Sequence, residues 1–174
     1  MIIGLTGKAR SGKDTVAEHL VEAHGFAHYW FSKPMKEACR IMFGWDDRHL
    51  YGELKEVVDP HYEISPRVAL QTLGTEWGRN TINSDMWILR AQREMQQHER
   101  LVISDCRFDN EAEAILEAGG IVIEVTRDGV EQVAAHSSES GISSKLITFS
   151  IDNNGTLPEL YKAVDQLLIN SIAA

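Results

Sequence analysis

The sequence predicts an α/β fold with a mainly parallel five-stranded sheet flanked by helices. Five short apolar runs (IIGLT, FAHYWF, LVIS, GIVIEVT and LITFSI) alternate with segments of helical periodicity, the pattern of strand–helix–strand crossovers. The first run ends in a glycine-rich turn that opens a helix. Gly7, Asp105 and Arg127 fall at the carboxyl ends of predicted strands, where ligands of such sheets sit.

Taken in order, MIIGLTG has no basic region before its apolar residues and reads as a first strand rather than a signal peptide. From Lys13 onward Val16, Leu20 and Ala23 recur at helical spacing, and Gly25 marks the stop. FAHYWF is the second strand, and KPMKEACRIMF opens a helix near Pro34. Residues 44–65 are polar and weakly periodic, which predicts a mobile segment. Helices follow at about 66–78 and 85–98. LVIS leads to Asp105, with Asp109 placed to cap the helix that runs to AGG. GIVIEVT ends at Arg127, and LITFSI is the last strand. Thr156 to Glu159 form a capping box, followed by a helix with Leu157, Leu160, Tyr161, Val164 and Leu168 on one face.

The chain of 174 residues predicts one domain with a full core. A formal charge of −9 argues against binding nucleic acid polymers, yet allows a small anion held by a few clustered cations. No stretch reaches membrane-spanning length. Cys39 and Cys106 lack metal-ligand spacing and suit reduced thiols, so a cytoplasmic location is expected. A homodimer is left open.

The loop GKARSGKDT nearly matches G-x-x-x-x-G-K-[ST]. Gly7 and Gly12 let the backbone curl its N–H groups toward phosphate oxygens, and the following helix adds its positive end. Lys13 reaches the outer phosphates, while Lys8 and Arg10 add charge at the tip. Asp14 stands where a hydroxyl is usual. It can ligate magnesium, often through water, or anchor an arginine that holds the acceptor, or simply answer the helix dipole. Thr15 supplies a hydroxyl to an inner phosphate.

Asp105, at the end of an apolar strand, suits an acid that orients magnesium or its waters. Arg107 is placed to pair with a carboxylate or reach an acceptor phosphate. Glu111 opens the next helix as a ligand contact or a dipole partner, and Cys106 reads as a packing residue. Arg67, Gln71, Gly74 and Gly78 share one helix face by spacing, with Val68, Leu70, Leu73 and Trp77 left to pack inward. Such a face suits a flat ligand or a tightly packed neighbouring helix. Arg79 follows as a phosphate candidate. Asp85 and Trp87 suit a cap and a core aromatic, and His136, Ser138 and Glu139 a lid or a solvated loop.

Together GKARSGKDT, SPRVALQTLGTEWGR, DMWI, SDCRFDNEAE, HSSES and NNGTLPELY resemble the deoxynucleoside monophosphate kinases of bacteriophages and related bacterial sequences, from residue 2 to about 168. The resemblance implies an NMP-kinase-like P-loop NTPase fold over residues 1–174. It also implies a helical acceptor-binding insert at about 32–98 and a lid-like segment at about 127–145. The implied partners are small nucleotides: ATP, used with Mg²⁺, and a deoxynucleoside 5′-monophosphate. By motif, Gly7, Lys8, Ser11, Gly12, Lys13 and Thr15 hold ATP phosphates, with Arg127 on the donor side. Lys13, Asp14, Arg10 and Asp105 are the implied catalytic set, Asp14 and Asp105 on the metal side. Arg67, Gln71, Arg79, Arg107 and Glu111 face the acceptor. Two alternatives stay open: a P-loop kinase of another small acceptor, such as dephospho-coenzyme A or phosphomevalonate, and a nucleotide-binding switch without phosphotransfer.

Overall fold

The computed structural model describes residues 1–130 and 141–172. They divide into two compact units, one of residues 1–30 with 91–174 and one of residues 31–90.

The first unit contains β1 (Ile2–Thr6), α1 (Lys13–His24), β2 (Ala27–Tyr29), β3 (Leu101–Ile103), α6 (Asp109–Glu117), β4 (Ile121–Thr126), β5 (Phe149–Asp152) and α7 (Leu157–Ile172). All strand pairings are parallel, in the order β2-β3-β1-β4-β5. Central position explains composition: β1 and β3 are buried along their whole length and read as continuous apolar runs. Ile3 pairs with Val102 on one side and Ile121 on the other. One core cluster joins Ile3 and Leu5 of β1, Val16 and Leu20 of α1, and Leu160, Val164 and Leu168 of α7. Leu157, expected on that apolar face, is instead exposed. α1 stops at Gly25, whose N–H bonds Val21 O, while Phe26 N–H reaches Leu20 O.

The strand order sets the site. From β1 the chain crosses to β2 on one side, and from β3 it crosses to β4 on the other. β1 and β3 are neighbours with connections running opposite ways, so the switch point lies between their carboxyl ends. Both loops marked in the sequence start there. Cys106 N–H bonds Leu5 O, tying the turn after β3 to β1.

The second unit contains α2 (Lys33–Phe43), α3 (Asp47–Leu50), α4 (Pro66–Gln71) and a π-helical stretch, Thr72–Ile82. α5 (Met86–Gln97) begins in it and continues past the boundary at Arg90. Residues 44–65, expected from their polarity as a mobile segment more than core, contribute buried side chains to this unit. Trp45 and Leu50 are buried with Cys39 and Ala69, and Trp45 Nε1 donates to Asp59 Oδ2 at 2.7 Å. The apolar contacts are too few and too widely spaced for a periodicity to show. Asp46 caps α3, accepting from Arg48 N–H, and Ser65 caps α4, accepting from Val68 N–H.

The helix expected over 66–78 changes pitch at Thr72. In π-helical turns the i→i+5 bond widens the spacing, as in Asn83 N–H to Gly78 O. The 3.6-residue face therefore does not continue past Gln71. Gly74 and Gly78 serve close packing: a Cβ on Gly74 would lie 2.5 Å from Met35 Sδ, and one on Gly78 2.8 Å from the Trp87 ring. Trp87 Nε1 also donates to Gly74 O at 2.8 Å. Val68 and Trp77, expected inside, are each 46% exposed. Among the described residues no helix is long and apolar enough to cross a membrane.

Hydrogen bonds from Arg48 and then His49 hold the Asp46 carboxyl down at about 2. A carboxylate depressed on folding adds stability above its unfolded pKa, and that stability is lost as pH falls through the folded value. Asp46→Asn should therefore lower the thermal midpoint relative to wild type at neutral pH. The difference should shrink from about pH 4 and vanish near pH 2 in melts followed by circular dichroism.

Candidate active site

The loop after β1 curls because two positions in it are closed to side chains. Gly7 has φ +132°, and a Cβ there would overlap the Val125 carbonyl oxygen of β4. Gly12 has φ +106°, and a Cβ there would overlap Asn153 Nδ2. Arg10 takes a left-handed conformation at the tip, with φ +64°. Lys13, first residue of α1, turns back over the loop: its Nζ donates to Gly7 O at 2.8 Å and Lys8 O at 2.6 Å. The ammonium thus sits where the loop converges. Ser11 is 1% exposed, and its Oγ has no hydrogen-bond partner among the described residues. A buried orphan hydroxyl is costly unless something completes it. An anion seated in the loop would do so.

The loop opens on a cleft of about 360 Å³. Arg10, Lys13 and Arg127 line it against one carboxylate, Asp14, with Thr15 beside it. Leu157 and Leu160 form the wall at the start of α7. Cationic and apolar side chains thus line one cleft. So Arg10, Gly12, Lys13, Asp14, Thr15 and Arg127 lie around one cleft, with Gly7 and Ser11 in the loop beneath. Lys8 points away, its Nζ reaching Val130 O at 3.4 Å.

Asn153, which sequence reasoning passed over, holds the loop in place. Its Nδ2 donates to Ser11 O at 2.8 Å, and its own N–H bonds Thr126 O at 2.8 Å. The signal was available. A capping box at Thr156 places the residues just before it at the carboxyl end of the last strand. Glu159 Oε2 completes that box, accepting from Thr156 N–H at 2.7 Å and Oγ1 at 2.8 Å.

The turn after β3 carries Asp105, Arg107 and Glu111. Glu111, expected among the substrate contacts, is 2% exposed, and its Oε2 accepts from Arg107 N–H at 2.7 Å and Phe108 N–H at 3.2 Å. It shapes the turn and caps α6. Asp109 does not cap. Its two oxygens accept from Ser143 N–H at 2.7 Å and Oγ at 2.6 Å. Burial first, then the charges of Glu111, Asp105 and Asp109, push the Cys106 thiol well up, so it is a packing group and not a nucleophile.

Arg67, Gln71 and Arg79 belong to the second unit. Arg67 Nε and Nη2 grip Glu56 Oε1 at 2.7 and 2.6 Å, and Arg79 Nη1 donates to Ser84 O at 3.1 Å. His136, Ser138 and Glu139 lie outside the described residues.

Sheet order, loop and cleft define a P-loop kinase. Solved structures agree on the fold: shikimate kinase from Aquifex aeolicus superimposes with a TM-score of 0.56 at 13% identity, covering 100% of this chain and 99% of that one. Dephospho-CoA kinase from Campylobacter jejuni superimposes at 0.51 with 13% identity, covering 96% and 94%. A deoxynucleotide monophosphate kinase family profile matches residues 47–164. An Acanthamoeba polyphaga mimivirus protein, provisionally named deoxynucleotide monophosphate kinase, is 34% identical over 98% of this chain and 97% of its own length. The deoxynucleoside-5′-monophosphate kinase of Escherichia phage T5 is 26% identical over 88% and 89%. The chain belongs to the deoxynucleotide monophosphate kinase family and is a phosphotransferase.

Asn153→Ala removes one clamp on the loop, an interaction worth about 0.5–1.5 kcal/mol. It should weaken binding of a nucleoside triphosphate, the donor proposed below, roughly threefold to tenfold in isothermal titration calorimetry, with a melting midpoint lower by a few degrees at most.

Proposed function

We propose that the chain transfers the γ-phosphoryl group of ATP to a deoxynucleoside 5′-monophosphate, using Mg²⁺, in the cytoplasm. The observation that carries this reading is the cleft, lined by Lys13, Arg10 and Arg127 together with Leu157 and Leu160.

The residues fit a magnesium ion. Asp14 and Thr15 bring a carboxylate and a hydroxyl to the cleft, and Asp105 follows the strand beside β1. These are hard oxygen donors of the kind Mg²⁺ selects. Asp14, with Asp105, would hold the ion or its waters, and when bound it neutralises charge on the transferring phosphates. The chain's own groups do the rest. Loop N–H groups from Gly7 to Thr15 cradle the donor phosphates, and Ser11 Oγ completes its hydrogen bonding there. Lys13 moves from the carbonyls of Gly7 and Lys8 to the outer phosphate, and Arg10 adds a second cation at the loop tip. Arg127 and the leucine wall hold the donor base. No general base is needed, because a phosphate monoester oxygen is already largely ionised near pH 7. Catalysis then rests on positioning and charge.

Acceptor recognition falls to Arg67, Gln71 and Arg79 on the 31–90 unit, read here as the acceptor-binding insert of a single kinase domain, and to Arg107. Guanidinium forks match phosphate oxygens.

A panel of acceptors with ATP, followed as ADP release, tests the reading. Turnover with at least one deoxynucleoside monophosphate is expected, and none with dephospho-coenzyme A or phosphomevalonate. Hydrolysis indifferent to every monophosphate would indicate a switch instead. Lys13→Ala should lower kcat at least about 100-fold with the fold intact by circular dichroism. Arg79→Ala should raise the acceptor KM about tenfold or more, the loss of one charge-assisted contact. Its ATP KM should stay near wild type, and an equal rise in both would count against the assignment.

A further inference from the structure

Away from the cleft, α1 and α7 meet along a seam where His19, His24 and Asp165 converge. His19 Nε2 and His24 Nε2 each lie 2.7 Å from the same oxygen, Asp165 Oδ1. One ligand atom from each of the three residues lies within 4.8 Å of the other two. The His19 ring is held by stacking on Tyr161, at 4.1 Å between centroids and 5° between planes. Tyr161 and Asp165 are four residues apart and share a face of α7. His19 and His24 stand edge to face at 5.3 Å. The nucleotide-site residues are distant along the helix, Lys13 being about 9 Å from His19 and 16 Å from His24 by axial rise.

Two imidazoles aimed through the same nitrogen at one carboxylate oxygen need both rings protonated on Nε2. The same three atoms, once each neutral ring carries its proton on Nδ1 instead, are two imidazole lone pairs and a carboxylate oxygen, a donor set that late first-row divalent ions favour over Mg²⁺. We propose that His19, His24 and Asp165 bind a divalent cation of the Zn²⁺ class, with water in the open position. Tetrahedral coordination at Zn²⁺ distances sets ligand atoms about 3.3 Å apart, so each 2.7 Å contact opens by about 0.6 Å. The Asp165 side chain, 45% exposed, has room to make that move. Two nearby features act on a cation in opposite directions. His24 is in the last turn of α1, where the helix dipole favours positive charge. Arg100 approaches this corner, but its Nη1 is on the His24 carbonyl oxygen at 2.9 Å.

The consequence is structural. α1 begins with Lys13, Asp14 and Thr15, and α7 begins with Leu157; all four line the cleft. A metal bridge further along both helices fixes one against the other and steadies the two walls of the nucleotide site without touching the nucleotide.

The full chain, stripped with chelator and dialysed, should bind one Zn²⁺ in calorimetry and melt at higher temperature with Zn²⁺ than without. Co²⁺ should give the absorption of a tetrahedral nitrogen–oxygen site. His24→Gln keeps an amide that can donate to Asp165 but is a poor ligand, and Asp165→Asn likewise keeps a side chain of the same shape. Each should fold, as judged by circular dichroism, and lose Zn²⁺ affinity at least about tenfold. Absence of any Zn²⁺-dependent shift in the wild-type chain would overturn the proposal. So would a Co²⁺ spectrum with thiolate charge-transfer bands, or wild-type Zn²⁺ affinity in either variant.

Discussion

Everything at the site depends on how tightly the loop between β1 and α1 is closed on the rest of the sheet. Gly7 passes so near the Val125 carbonyl of β4 that no side chain fits. Asn153, at the end of β5, reaches across to the carbonyl of Ser11. Lys13 fills the ring's centre from inside through two carbonyl oxygens. Two elements far away in sequence and one lysine at the loop's own end thus hold one turn. Within that turn the Ser11 hydroxyl is buried and, among the described residues, unmatched.

Charge is arranged on the same principle. The chain carries a formal −9, yet Arg10, Lys13 and Arg127 gather at one cleft with a single carboxylate among them. Local concentration of cations, set against an acidic background, selects a compact anion over an extended polyanion. Asp14 is then no defect in the loop. It lines the same cleft beside Thr15, and in the proposed reaction it is an oxygen donor for a hard cation.

The 31–90 unit follows a different logic. Its order comes from packing points that no periodicity announces: Trp45 hydrogen-bonded to Asp59, Met35 against Gly74, and Trp87 against Gly78. The wide turns of Thr72–Ile82 bring two glycines against neighbouring side chains, with Trp77 turned outward. A helix face drawn at 3.6 residues per turn cannot anticipate this, since the pitch itself responds to the packing.

Much of the first unit was legible from sequence because its signals are local. Apolar runs of strand length, a glycine-rich turn, the stop at Gly25 and the box at Thr156 each depend on residues within one turn of one another. The loop residues Gly7 to Thr15 and the strand-end Arg127 followed from those signals and from the rule that ligands gather at carboxyl ends. What only the tertiary structure decided depends on contacts between distant segments. Asn153 became a clamp, Glu111 a cap for its own turn, and Asp109 a partner of Ser143. Two histidines came to share an oxygen with an aspartate 141 and 146 residues away. Local sequence determines which backbone a segment prefers. Which polar groups must satisfy one another is settled only when the strands are side by side and water has been excluded between them.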